Sequence, residues 1–159
     1  MGRIYDAMVK WFKEDEWNFQ EHEDRSYIAM GVDGENANWR CYAQADEERE
    51  IYIFYAVSPV KVPENKREDV AEYVTRANYG MRIGNFELDY SDGEIRYKTS
   101  VDVEGSEVIT PLIRQCVAAA LSTADRYFPG LAGMLYANMT PAEAIAQIEG
   151  GAGATPDSE

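Results

Sequence analysis

From Asn85 to Val103 apolar and polar side chains alternate almost without interruption, NFELDYSDGEIRYKTSVDV, and the alternation pivots on Asp92-Gly93. An Asp-Gly pair between alternating runs is the sequence mark of a two-residue β-hairpin turn. Taken as the loop, it puts Ser91 opposite Glu94, Asp89 opposite Arg96 and Glu87 opposite Lys98. Those two opposite-charge pairs share one face, while Phe86, Leu88, Tyr90, Ile95, Tyr97 and Thr99 share the other. Side chains alternate with period two, so a slip of one residue would scramble both faces at once. One face is expected wet and the other packed.

The rest of the chain supplies what packs. Ile4, Met8, Trp11 and Phe12 fall on one helical stripe within residues 3–16. Three strands follow. The first, near Ser26–Asp33, carries Ile28, Met30 and Val32 on one parity; the second, near Asn38–Ala45, carries Trp39, Cys41, Ala43 and Ala45. The third, Ile51–Val57, is apolar on both parities, the pattern of a central strand covered on both faces. The helices of this chain can cover one side of such a sheet. The other side, Tyr52 and Phe54 joined by Tyr42, or Ile53 and Tyr55 with the faces swapped, is expected to meet a second subunit or a partner. Closure by the loop of Pro59 and Pro63, or by the helix after Pro129, is the alternative.

Pro63 suits the first position of a helix striped by Val70, Tyr73, Val74 and Ala77 and stopped by Gly80. Thr110-Pro111 opens a long helix through Ile113, Val117, Ala120 and Leu121, which Pro129-Gly130 is expected to interrupt. Thr140-Pro141-Ala142-Glu143 is a capping box that starts a last short helix. Residues 150–159, GGAGATPDSE, read as a flexible tail after a single domain of residues 1–149. The order α-β-β-β-α-β-β-α(-α) is that of an α+β domain with one antiparallel sheet of about five strands packed against helices.

Charge narrows the partners. A net charge of −14 and a pI near 4.4 repel phosphate backbones, so no nucleic acid is expected as a partner. No window is apolar enough for a membrane span, and the N-terminus lacks the apolar core of a signal peptide; a cytoplasmic protein is expected. Cys41 and Cys116 form no metal or redox spacing and read as buried thiols. His22 stands alone in the acidic run EHED, and no nucleophile elbow or phosphate loop is present. Placing Gly34 or Gly93 at the sixth position of a calcium loop puts Ala29 and Gly31, or Leu88 and Tyr90, where oxygen ligands are needed. No catalytic residue, metal or cofactor is expected.

Two stretches, RANYGMRIGNFELDYSDGEIRYKTSVDVEG and DRYFPGLAGMLYANMTPAEAIAQIE, resemble the YbjN-domain family of bacterial proteins, over roughly residues 5–149. The resemblance implies a fold like that of type III secretion chaperones. Such proteins act without known chemistry, often as dimers, by offering a sheet or groove to another polypeptide; the family itself carries a label of sensory-transduction or stress regulation. Asn78, Gly84, Phe86, Asp92, Gly93, Tyr127, Pro129 and Ala144 belong to the matching stretches and are read as determinants of the fold. Two functions follow. One is a non-catalytic, homodimeric module binding another protein or peptide segment; the other is a small-molecule sensor with an aromatic cleft between sheet and helices.

Overall fold

The computed structural model describes residues 2–108 and 110–150, so the expected tail beyond Gly150 lies outside the described residues. Helix α1 (Arg3–Glu14) is followed by strands β1 (Gln20–His22), β2 (Tyr27–Asp33), β3 (Asn38–Asp46) and β4 (Ile51–Val57). Helix α2 (Arg67–Asn78), strands β5 (Asn85–Leu88) and β6 (Ile95–Asp102), and helices α3 (Thr110–Tyr136) and α4 (Pro141–Glu149) complete the chain. The strands form one antiparallel sheet in the order β1-β2-β3-β4-β6-β5. It has six strands rather than five. The addition, β1, is three residues of QEH whose polar side chains carry no strand pattern; its ladder to Tyr27–Ala29 holds it in place.

All the helices gather on one side. The apolar stripe of α1 buries Ile4, Met8 and Phe12, and α3 lies across β4 and β6 with Ile113, Val117, Ala120 and Ala124 turned inward. Beneath them the sheet contributes Ile28, Met30, Cys41, Ala43, Tyr52, Phe54 and Tyr97. Thr99 is buried with them and donates its hydroxyl to the Cys116 carbonyl at 2.8 Å. Both cysteines are buried, and burial pushes the Cys41 thiol up to about 12.

The hairpin register differs from the expected one by two residues. Glu87 stands opposite Arg96 and Asn85 opposite Lys98, and Asp89 pairs with Glu94 through its N–H at 2.9 Å. The loop is therefore Tyr90–Gly93, closed by Gly93 N–H to the Asp89 carbonyl at 2.8 Å. Side chains of the loop explain why it wins. Asp89 accepts from the Ser91 N–H and hydroxyl, and Asp92 accepts from Glu94 N–H, so each acid forms its own local turn. A shift of two preserves the faces, so the packed side survives in Phe86, Leu88, Ile95, Tyr97 and Thr99, but Tyr90, expected there, falls in the loop and is exposed. Of the two expected ion pairs, Glu87–Lys98 survives as a diagonal contact at 3.0 Å, while Asp89 no longer faces Arg96. Gly93 does hold positive φ (+81°), but for a tertiary reason too: a Cβ there would collide with the Val62 carbonyl.

Pro129 also corrects an expectation, for α3 runs unbroken through it. A proline inside a helix leaves the carbonyl four residues back without its donor. That carbonyl is Asp125 C=O, and the Asn36 side-chain amide donates to it at 2.9 Å. The Asp125 carboxylate returns the contact, accepting from the Glu35, Asn36 and Ala37 N–H groups and from Trp39 Nε1 at 3.0 to 3.2 Å. The β2–β3 turn is thus pinned to the helix at the point where the helix would have failed.

The remaining matched residues fall at joints. Asn78 Oδ1 accepts from Phe86 N–H at 2.7 Å and its amide donates to the Phe86 carbonyl at 3.1 Å, so a side chain occupies the outer edge of β5. Gly84 (φ +79°) passes so close to β6 that a Cβ would meet the Lys98 carbonyl. Tyr127 donates its hydroxyl to Glu149 at 2.6 Å and its carbonyl accepts from Tyr73, joining α2, α3 and α4. Ala144 is buried, and Thr140 caps α4 through the Glu143 N–H at 3.1 Å.

Candidate functional site

The register of β3 and β4 decides what the uncovered side carries. Tyr42 stands opposite Tyr55, whereas Tyr52 stands opposite Ala45 and Phe54 opposite Ala43. Tyr52 and Phe54 are completely buried beneath the helices, so they are not available to a partner, and Tyr42 does not share their face. The uncovered row of β4 is the swapped set: Ile51, Ile53, Tyr55 and Val57, each half-buried by neighbours within the sheet. The four-residue turn Glu47–Glu50 fixes this register, and counting across it from Asp46–Ile51 pairs Tyr42 with Tyr55.

Around that row the open face is built of rings and long cations. The His22 ring stacks on Tyr27 (centroids 4.5 Å apart, 17° between planes), and Tyr27 meets Tyr42 edge-on at 5.9 Å. Beyond Tyr42 lies Tyr55, and the Arg96 guanidinium sits 4.1 Å over its ring. Arg96 Nε donates to Glu87 at 2.8 Å, and Lys98 Nζ reaches the other oxygen at 3.0 Å. Partial burial pushes the Glu87 carboxyl up, but the hydrogen bonds from Lys98 and Arg96 outweigh it and hold the group below its ordinary range. The result is a continuous strip from His22 to Glu87 across all six strands.

The strip borders a broad, shallow groove of about 960 Å³ with Ala29 and Gly31 in its floor and Phe19, Arg40, Tyr42 and Val57 around it. The floor is low because Gly31 has no side chain, and the space where a Cβ would stand is open. By contrast, the aromatic space between sheet and helices, lined by Trp39, Tyr73, Phe86, Tyr127 and Phe128, amounts to about 10 Å³. Sequence reasoning reached Tyr42, the swapped pair Ile53 and Tyr55, and the wet hairpin face of Glu87, Arg96 and Lys98, but missed Tyr27 and Arg40. Tyr27, Arg40 and Arg96 lie on it at alternate positions of strands whose buried parity was legible, and that parity was the available signal.

Residues 5–132 match the family model YbjN, described as "Putative bacterial sensory transduction regulator", and the chain belongs to this family. The match ends within α3, so α4 lies beyond it. The fold is similar to the crystal structure of YbjN from E. coli, with a TM-score of 0.58 and 12% identity over 75% of this chain and 84% of that one. It is similar to a chain of the HopA1–SchA chaperone–effector complex (TM-score 0.50, 14% identity, 76% and 90% covered). A third likeness is to the Yersinia pestis type III secretion chaperone SycH in complex with a fragment of YscM2 (0.50, 10%, 76% and 96%). These identities show the fold, an α+β architecture shared with secretion chaperones. No curated protein matches the sequence.

Proposed function

We propose that this chain is a non-catalytic module that holds a segment of another polypeptide on the open face of its sheet. Assembly as a homodimer, a place in the bacterial cytoplasm and a role in stress or sensory regulation belong to the same reading. The observation that carries it is the half-exposed row Ile53, Tyr55 and Val57 with Tyr42 and Tyr27 beside it, an aromatic strip with no helix above it among the described residues. Aromatic anchors with apolar neighbours are the groups that interfaces rely on. The likeness to chaperones crystallised with protein partners supports the reading. Among the described residues no helix is long and apolar enough to cross a membrane. A ligand-sensing cleft between sheet and helices draws no support from a space of about 10 Å³, close to one water molecule.

A photo-crosslinking amino acid, benzoylphenylalanine, placed at Tyr42 or Tyr55 in the native cell tests the proposal. Adducts of higher mass are expected from both positions and not from Ser122, which is exposed on the outer side of α3. Adducts from Ser122 alone would overturn it. Sedimentation of the purified chain checks the dimer separately.

A further inference from the structure

The chemistry of the groove points to the kind of segment it holds. We propose that this segment carries an acidic side chain beside an apolar one, the carboxylate meeting Arg40 and the apolar group lying over Ala29 and Gly31 against Tyr42. The proposal rests on the open-face reading above and goes further by naming the partner's chemistry.

The cations on and around this face divide into two sets. Arg96 and Lys98 both hold Glu87, and Lys61, at the groove's far end, holds Asp92 at 3.0 Å. Arg40 is exposed in mid-sheet and has no ion pair or hydrogen bond from its guanidinium among the described residues. Across the sheet its neighbours are Gly31 and Val57, neither of which offers an acceptor side chain. Of the two Lys and Arg side chains that line the groove, Lys61 is paired with Asp92 and Arg40 is the one left without an acid among the described residues. Its planar fork of donors matches a carboxylate through two parallel hydrogen bonds.

The surroundings set the rest of the recognition. Gly31 leaves the space next to Arg40 empty, while Tyr42, two residues along the same strand, stands opposite Ala29. An apolar side chain fits that step between ring and glycine, with the acidic residue beside it over Arg40. Asp33 lines the groove beyond Gly31, and Glu94 lines it together with Val57 and Lys61, so an acid is repelled from both ends and the carboxylate is expected at Arg40 between them. The homodimer of the reading above then forms through another surface, leaving this face to a foreign segment.

Panning a phage-displayed library of random dodecapeptides against the folded wild-type chain tests this directly. Enrichment of Asp or Glu next to an apolar residue is expected, and Arg40→Glu should weaken the selected peptides at least tenfold while its thermal melt stays that of the wild type. The same panning on Arg40→Glu should enrich Lys or Arg instead. Peptides that lose affinity on Tyr55→Glu but not on Arg40→Glu would overturn the acidic partner and leave the open face standing. Peptides indifferent to both, or no binders at all, would overturn both. A wild-type dimer that Arg40→Glu splits in sedimentation would make the occupant a second copy and likewise overturn the proposal.

Discussion

Along β4 the side chains alternate between two environments that their own chemistry does not distinguish. Tyr52 and Phe54 are sealed under the helices, while Ile53 and Tyr55, alternating with them, are half-buried and have no helix above them among the described residues. The difference lies in their neighbours. On the covered side Phe54 is flanked by Ala43 and Thr99, and Tyr52 by Ala45 and Val101. These short side chains let α3 approach with its own small residues Cys116, Ala120 and Ala124. On the open side Tyr55 is flanked by Tyr42 and Lys98, and Ile53 by Gln44 and Ser100. Long amphipathic side chains shield one another within the sheet while keeping polar ends in water. A doubly apolar strand therefore need not be doubly covered; the strands beside it decide which face receives the helices.

The largest expected effect comes from placing a charge on each face in turn. Phe54→Glu puts a carboxylate in the dry layer with no cation to meet it and should cost more than about 4 kcal/mol, enough to unfold a domain of ordinary stability. Ile53→Glu, one residue away, should cost about 1 kcal/mol and leave a folded protein, because the group can turn to water. Circular dichroism melts of the two variants measure the contrast. A folded Phe54→Glu with a wild-type midpoint would mean that the two faces have been assigned the wrong way round.

How much of this contrast the sequence carried depends on the range of the interactions involved. Strand parities, the central place of Ile51–Val57 and the capping box at Thr140 rest on neighbours within a few residues and were legible. Which β4 face stays open depends on the pairing of Tyr42 with Tyr55 and on where α3 lands, neither of which is local. The hairpin loop was misplaced by two residues because Asp89 makes its own turn with Ser91, and Gly93 O accepts from Val62 N–H across the chain at 2.8 Å. The helix break expected at Pro129 failed for a like reason. Its remedy, the Asn36 amide, comes from a turn 89 residues away from Asp125. Arg40 gave no signal in sequence, since its lack of an acid partner is a property of the assembled face.

An intermediate effect should follow from cutting the tie that holds the covered side together. Asp125 joins α3 to the β2–β3 turn through several N–H donors, and among the described residues no such set of backbone donors converges on one side chain of the open face. Asp125→Ala should cost about 2–3 kcal/mol, since hydrogen bonds to a charged acceptor are the stronger kind and the Glu35, Asn36 and Ala37 donors are left to water. Partial burial pushes this carboxyl up, but the bonds from Trp39, Asn36, Ala37 and Glu35 outweigh it and leave it below its ordinary value. A depressed folded value means stability that is present above the unfolded pKa of about 3.9 and lost as pH falls through the folded one. The midpoint gap between wild type and Asp125→Ala should therefore hold steady from neutral pH to about 5 and close below about 4. A gap unchanged at low pH would show that the carboxylate charge plays no part in the tie.

The smallest effect is the sharpest comparison, because it removes the same atom from the two faces of one strand. The Tyr52 hydroxyl is buried and has no hydrogen-bond partner, the sole side-chain polar atom so placed among the described residues. Burial raises its pKa well above the ordinary phenol value, with the Cys116 thiol adding to it, so the group is neutral and unable to regain by ionising what it loses by desolvation. An unsatisfied buried hydroxyl costs about 1–3 kcal/mol, less whatever dispersion contacts the oxygen makes. Tyr52→Phe should accordingly raise stability by about 1 kcal/mol, an increase that few single substitutions give. Tyr55→Phe removes the hydroxyl from a half-exposed ring whose contact with Arg96 is through its face, and should change stability by less than about 0.5 kcal/mol. Urea titrations of both variants measure the difference. A Tyr52→Phe variant less stable than wild type would mean that the hydroxyl has a partner and that the layer beneath α3 is not dry.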